Sequence, residues 1–217
     1  MGVETQNVIR LFGDVWITNT VTSSWVMMTV IVIVAIIMVR RHPATLYMII
    51  EFLTDMIADV MGEEAAITYF PFLGAMAIYV AVANSFGIVP GVIAPTRDLN
   101  TPLALAIVVF FAVHYYGIKQ KGVVQYLKDT FSPIYLIILI LPLEIIGQIS
   151  RTFSLAMRLF GNILSGELVV AVVISLIPII VPLPLVGLSM FTGMLQAYIF
   201  AVLATVYIST GVQETSD

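Results

Sequence analysis

The sequence predicts an all-α, polytopic membrane protein. Of its 217 residues, 60% are hydrophobic and only 10% are charged, whereas an average soluble domain carries about 25% charged residues. Apolar runs recur from Trp25 almost to the C-terminus and lack two-residue alternation. Since only helices and closed barrels satisfy the backbone inside a bilayer, these runs are expected to be helices. We expect one membrane domain, 1–217, with about five membrane-crossing helices, one amphipathic surface helix and two long, inclined C-terminal helices that form a hairpin.

The composition also excludes several kinds of site. The chain has no cysteine, which excludes disulfides and thiolate metal sites, and His42 and His114 are too far apart to suggest a haem. No GxxxxGK(S/T) segment occurs, so ATP binding by a P-loop is not expected. We expect no chemical active site, no metal, no cofactor and no nucleic-acid partner on this chain.

The N-terminal part is predicted to hold an external segment and the first span. Residues 1–23 are polar and mixed, and they lack the basic-then-apolar order of a cleavable signal. The span 24–39 follows, with Trp25 at one interface and Arg40 and Arg41 at the other. Such flanking residues are typical of a membrane helix.

The next segment, 44–61, is predicted to be amphipathic. Its apolar residues recur at three- and four-residue spacing, while Glu51, Asp55 and Asp59 form an i, i+4, i+8 row. This pattern indicates a helix along the cytoplasmic membrane surface rather than a span. It could contact a partner or lipid, and the sequence leaves both possibilities open.

Two more spans are predicted in 65–118, joined by the short polar turn "APTRDLNTP". A loop with Lys119, Lys121 and Lys128 follows. The following apolar stretch, 134–177, has one internal proline, Pro142. As a single helix it would be about 66 Å long, roughly twice the hydrocarbon thickness.

The stretch 134–177 could therefore be two spans or one steeply inclined helix. Arg40, Arg41 and the three lysines fall on one side of the membrane, whereas Arg97 stands alone on the other. The positive-inside rule then predicts an external N-terminus and a cytoplasmic C-terminal tail, 211–217. This orientation requires a single crossing and favours one long helix. The region 134–210 is accordingly predicted to be a long helical hairpin.

A polar stripe runs along the first helix of this hairpin. Residues seven apart drift by only about 20° around a helix, so the polar positions align. The stripe consists of Glu144, Gln148, Arg151, Ser154, Arg158, Asn162 and Ser165. Glu167 lies nine positions after Arg158, on the opposite face of the helix. Arg151 and Glu144 could instead be interfacial residues.

Arg158 is the least expected residue of the stripe, since an arginine facing lipid costs at least ~2.5 kcal/mol. The last span offers it no acid, only polar residues such as Ser189, Thr192, Gln196 and Tyr207. An unpaired guanidinium suggests a counter-charge from another protein or from a transported ion, and hence an ion pathway. A stand-alone secondary transporter or channel is the alternative, although no internal repeat supports it. A purely structural anchor does not need the polar stripe.

Two segments carry a family resemblance. "LEIIGQISRTFSLAMRLFGNILSGELVV" and "GLSMFTGMLQAYIFAVLATVYI" resemble subunit a of the F-type ATP synthases, the membrane stator that faces the rotating ring of c subunits. The likeness extends back through "FGIVPG" (86–91) and covers most of the chain. It implies that Arg158 is the family's essential arginine and that Gln196 is its partner on the final helix.

The resemblance also implies two aqueous half-channels that admit and release H⁺ or Na⁺. The lining positions it implies are Glu167, Asn162, Glu144 and Ser154, to which the polar pattern adds Ser189, Gln148 and Ser165, with Arg151, Thr192 and Tyr207 as secondary candidates. Ser189 stands where some members carry a histidine or an acid facing Glu167. Water or a hydrated cation is then expected to bridge the gap.

The implied partners are the c-ring, the subunit b peripheral stalk, the lipid bilayer and, indirectly, the F1 sector. The expected location is a bacterial plasma membrane, with a thylakoid membrane as the alternative. The choice between H⁺ and Na⁺ is left open, because in the family the c-subunit site largely determines it.

Overall fold

The computed structural model describes residues 7–12, 15–87, 94–130, 137–176 and 182–213. In chain order the elements are strands β1 (Asn7–Phe12) and β2 (Val15–Thr18), helices α1 (Asn19–Arg41), α2 (Pro43–Met61) and α3 (Glu63–Phe86), a 3-10 turn (Pro95–Arg97), and helices α4 (Asn100–Lys121), α5 (Val123–Thr130), α6 (Ile137–Leu176) and α7 (Pro182–Gln213). Within these ranges, five helices are long and apolar enough to cross a membrane: α1, α3, α4, α6 and α7. The predicted all-α, polytopic membrane fold is confirmed.

Three short elements were not predicted. β1 and β2 pair antiparallel, with Asn7 opposite Thr18, inside the segment expected to be external. α5 lies in the predicted lysine loop. It begins after Gly122, whose φ of 81° ends α4, and it brings the Tyr126 ring against Gly117, where a Cβ would collide with it. The strands have only six and four residues and α5 has eight, so all three are shorter than the apolar runs from which the helices were predicted.

Some predicted segments fall partly outside the described residues. These are the start of the external segment, positions 88–91 of "FGIVPG", the ends of the stretch 134–177 and the last residues of the C-terminal tail, 214–217.

α1 has the most exposed apolar surface of the five long helices. Only 6% of its most apolar window is buried, and large side chains such as Trp25, Ile33 and Val39 are exposed. A helix that is apolar on all sides suits lipid rather than water. At its start, the Thr20 hydroxyl donates a hydrogen bond to Asp98 Oδ2 (3.1 Å), which joins α1 to the connection between α3 and α4.

α2 has the predicted amphipathic character. It buries four apolar side chains: Leu53, Met56, Ile57 and Met61. Glu51, Asp55 and Asp59 are all exposed on its other face. Gly62, with a φ of 86°, separates α2 from α3. The helix therefore packs by one face against the bundle and presents an acidic row on the other.

α6 is one continuous helix of 40 residues that includes Pro142. Its length of about 60 Å is roughly twice the hydrocarbon thickness, so a single crossing requires a strong incline. α7 packs against α2, α3, α4 and α6. Its side chains Phe200, Ala204 and Ile208 are fully buried in a core to which α6 contributes Leu155 and Leu159. α7 thus holds α6 against the rest of the bundle.

Candidate functional site

The first part of the α6 stripe is a chain of polar groups on an open helix face. Gln148 Nε2 donates a hydrogen bond to Glu144 Oε1 at 3.0 Å, one turn away. Both side chains are half-buried, whereas Arg151 and Ser154 are exposed. α6 therefore carries a hydrogen-bonded acid and amide near its N-terminal end, followed by an exposed cation.

Arg158 is exposed, two turns further along the same face. Its neighbours Leu155 and Leu159 are buried in the core, on the adjacent flank of the helix. In the described part of the chain, no carboxylate lies within ion-pair distance of Arg158 and no hydrogen bond is made to it. A permanently charged guanidinium is therefore left open on the outer surface of the bundle.

Asn162 links the stripe to α7. Its Nδ2 donates to the Thr192 carbonyl at 3.2 Å, and its own carbonyl accepts a hydrogen bond from the Ser165 hydroxyl at 3.0 Å. Thr192 Oγ1 in turn donates to the Leu188 and Ser189 carbonyls. The bond from Asn162 to Thr192 joins the two helices beside Arg158, whereas the other three lie within one helix.

Gln196 and Tyr207 lie further along α7, at different depths. Gln196 is 6% exposed, and its Nε2 has no hydrogen-bond partner among the described residues. It makes no hydrogen bond to Arg158 there either, because one side chain lies inside the bundle and the other outside. Tyr207 is half-buried and packs against the apolar core. An unpartnered buried amide is costly and marks a place where a further polar group fits.

Glu167 has a partner that the sequence did not reveal. Arg97 Nε, from the 3-10 turn, lies 2.8 Å from Glu167 Oε2. The two side chains are 31% and 27% exposed respectively, so the ion pair is half-buried. Hence the two charged residues on opposite faces of α6 differ: Glu167 is paired within the chain and Arg158 is not.

A cavity of about 340 Å³ opens beside this ion pair. Its polar lining comes from three helices and the 3-10 turn, with apolar side chains of α6 and α7 around it. The polar and glycine positions are Asn84, Gly87, Arg97, Gly166, Glu167 and Ser189. Glu167 and Ser189, which the sequence suggested as facing residues, thus share one cavity.

Close packing of α6 on α7 brings these two residues together. A Cβ on Gly166 would lie only 2.6 Å from Ser189 Oγ and 3.5 Å from Ser189 Cβ, so a side chain at position 166 would force the Ser189 hydroxyl to move. Asn84 of α3 adds a third wall, because its Nδ2 donates to the Gly193 carbonyl at 2.8 Å. Its Oδ1 has no hydrogen-bond partner in the described ranges.

Asn84 and Arg97 were missed as site residues. Arg97 had entered the prediction only as a charge that orients the chain, and Asn84 had not entered it at all. Their polarity next to apolar spans was a usable signal, but their meeting with Glu167 depends on the packing of several helices. His, Asp and Glu side chains form no metal-binding group of three in the part of the chain that the structure describes.

Comparison with known proteins identifies the family to which this chain belongs. The family model described as ATP synthase A chain matches residues 21–209. The chain belongs to the ATP synthase A chain family. It is 41% identical over 215 residues to the ATP synthase subunit a 2 of Bradyrhizobium sp. (strain BTAi1), covering 96% of this chain and 95% of that protein.

Two further proteins with the name ATP synthase subunit a are also similar to the chain. The ATP synthase subunit a 2 of Picosynechococcus sp. is 43% identical over 165 residues, which cover 76% of this chain and 69% of that protein. The ATP synthase subunit a of Nitrosospira multiformis is 36% identical over 215 residues, with 95% and 84% covered. The predicted resemblance to subunit a is confirmed. The chain is an ion-translocating membrane subunit of an F-type ATP synthase and not the part that carries out catalysis.

Proposed function

We propose that this subunit a forms two offset aqueous half-channels and holds Arg158 between them, against a rotating ring of c subunits. Flow of H⁺ or Na⁺ through the half-channels would then be coupled to ATP synthesis or hydrolysis. The observation that carries the proposal is Arg158 itself, exposed in mid-helix with no partner in the described part of its own chain. A charge left open in this way suits a counter-charge on another subunit.

The spacing along α6 supports two separate half-channels. Glu144 and Glu167 are about 35 Å apart along the helix axis, with Arg158 between them, so they lie at different depths even though the helix is strongly inclined. Glu167 belongs with Ser189 to the cavity described above, which suits the outer half-channel. Glu144 and its hydrogen-bonded partner Gln148 suit the cytoplasmic one. Asn162, Ser154 and Ser165 would provide polar lining near Arg158, with Gln196, Thr192 and Tyr207 on the α7 side and Arg151 toward the cytoplasm.

The role of Arg158 follows from electrostatics. A ring carboxylate that carries its ion is neutral and can rotate through lipid. When it reaches the guanidinium, attraction between the two charges favours release of the ion. Because arginine does not deprotonate, the charge also prevents ions from leaking directly between the half-channels. One charge that crosses a 100 mV potential supplies about 2.3 kcal/mol, which is the source of torque.

The orientation and partners follow from the same proposal. Basic residues occupy the last turns of α1 (Arg40 and Arg41) and α4 (Lys119 and Lys121), and the positive-inside rule assigns these ends to the cytoplasm. The N-terminus would be external and the C-terminus cytoplasmic, in a bacterial plasma membrane. Besides the c-ring, the partners would be the subunit b peripheral stalk and, indirectly, the F1 sector. The acidic row of α2 is a candidate contact for the stalk.

The decisive experiment is ATP-driven ion pumping into vesicles that contain the whole complex, with Arg158→Gln compared with the parent. We expect pumping to fall by roughly a hundredfold or more. A cation about 4 Å from a carboxylate attracts it by about 4 kcal/mol at an effective dielectric constant of about 20, and the variant loses this attraction. Arg41→Gln, an exposed arginine at the end of α1, is the matched control and should pump normally. Normal pumping by an assembled Arg158→Gln complex would disprove the proposal.

A further inference from the structure

The 3-10 turn that carries Arg97 is anchored to its neighbours. It begins with two buried residues, Pro95 and Thr96. Asp98, the residue after Arg97, accepts hydrogen bonds from the Thr20 hydroxyl and from the Asn100 backbone N–H, each at 3.1 Å. The turn is therefore tied to the starts of α1 and α4, and the guanidinium has a fixed base from which to act.

The ion pair that Arg97 makes is accessible rather than sealed. Its Nε lies 2.8 Å from Glu167 Oε2, and about a third of the arginine and a quarter of the glutamate side chain are exposed. Both residues line the same cavity of about 340 Å³. A small ion in that cavity can therefore reach the carboxylate, but it meets a guanidinium already bound there.

Besides the carboxylate of Glu167, the cavity offers other oxygen ligands to a mobile cation. Asn84 is 5% exposed, and its Oδ1 has no hydrogen-bond partner among the described residues. The Ser189 hydroxyl lines the cavity too. Carboxylate, amide and hydroxyl oxygens are the ligands that hard cations and their hydrating waters prefer. Glu167 thus lies between a fixed cation, Arg97, and a set of oxygens suited to a mobile one.

We infer that Arg97 is a tethered competitor for the transported cation at Glu167, and that it sets the outer cation concentration at which the motor runs. The inference rests on the proposed function, since it takes the cavity as part of the outer half-channel. A cation that arrives must displace the guanidinium from the carboxylate. When the cation moves on toward the ring, the guanidinium returns and closes the site to a second ion. Arg97 is a positioning residue in this scheme and does not itself carry the ion.

The test is ATP synthesis by the whole complex in proteoliposomes with an imposed potential, so that ions enter from the lumen. The lumenal NaCl concentration is varied at constant pH, and the lumenal pH is varied at constant NaCl in a second series. For the cation that the parent uses, Arg97→Gln should lower the half-saturating concentration by about three- to fivefold, the upper range for a partly exposed ion pair. Arg97→Lys, which keeps the charge, should stay close to the parent.

A cysteine variant separates charge from shape. The chain has no cysteine of its own, so Arg97→Cys introduces its single thiol. Before modification it should behave like Arg97→Gln. A cationic methanethiosulfonate should raise the half-saturating concentration again, and an anionic reagent should not. An unchanged half-saturating concentration in Arg97→Gln, or loss of synthesis at every concentration, would overturn the inference.

The two proposals fail in different ways. If Arg158→Gln stops transport and the parent responds to the lumenal cation, but Arg97→Gln matches the parent, only the competitor role is wrong. If Arg158→Gln transports normally, the proposed function itself is wrong. Should Arg97→Gln not assemble, the lysine and cysteine variants still decide the question.

Discussion

Two arginines near α6 have different surroundings. Arg97 reaches α6 from the 3-10 turn and pairs with Glu167 in a half-buried cavity. Arg158 belongs to α6 itself, is exposed, and has no acidic partner in the described ranges. Both charges occur in a chain with only 10% charged residues, where each ion in lipid is costly. The comparison indicates that Arg97 serves contacts inside the chain, whereas Arg158 is suited to a contact outside it.

The difference also divides α6 into two parts that pack differently. Around Glu167 the helix packs so closely on α7 that a side chain at Gly166 would displace the Ser189 hydroxyl. Around Arg158 the same helix keeps one open face, while Leu155, Ala156 and Leu159 are buried in the core. Tight packing can shape a site within one subunit, while an open face is what a moving partner requires.

The largest effect that would sharpen this comparison is expected from Glu167→Gln. The amide cannot bind a cation as a carboxylate does, and Arg97 loses its partner. Because hydrogen bonds to charged groups contribute about 1.5–3 kcal/mol, ATP synthesis should fall by roughly tenfold or more. Glu144→Gln is the matched variant: its hydrogen bond with Gln148 can be remade by an amide, so its loss should be smaller. Equal losses in the two variants would mean that the carboxylate of Glu167 contributes no more to ATP synthesis than the carboxylate of Glu144.

A smaller effect, on stability, is expected from Gly166→Val. The new side chain would overlap Ser189 Oγ, which already lies 2.6 Å from the position of a Cβ. Overpacking of this kind costs about 1–3 kcal/mol, so the thermal unfolding temperature of the complex should decrease. Gly187→Ala on α7 is the control, since nothing lies within 4 Å of its Cβ position. If both variants unfold at the parent temperature, α6 and α7 do not depend on this close contact.

The sequence predicted the parts of the molecule that depend on local composition. The apolar runs revealed the long helices, the spacing of apolar and acidic residues revealed the amphipathic character of α2, and Arg158 stood out because the residues around it are apolar. The Arg97–Glu167 pair could not be predicted in the same way. Its two residues are far apart in sequence, and the distance between them depends on how α1, α3, α4 and α6 pack around the 3-10 turn.

The central claim is that Arg158 faces the ring, and disulfide formation tests it most directly. Arg158→Cys would be combined with a cysteine at the mid-membrane carboxylate position of the c subunit, in the assembled complex. Ala156→Cys, fully buried two residues away, is the matched control in a chain without native cysteine. We predict rapid cross-linking at position 158 and none at position 156. No cross-link at 158, or a faster one at 156, would contradict the account.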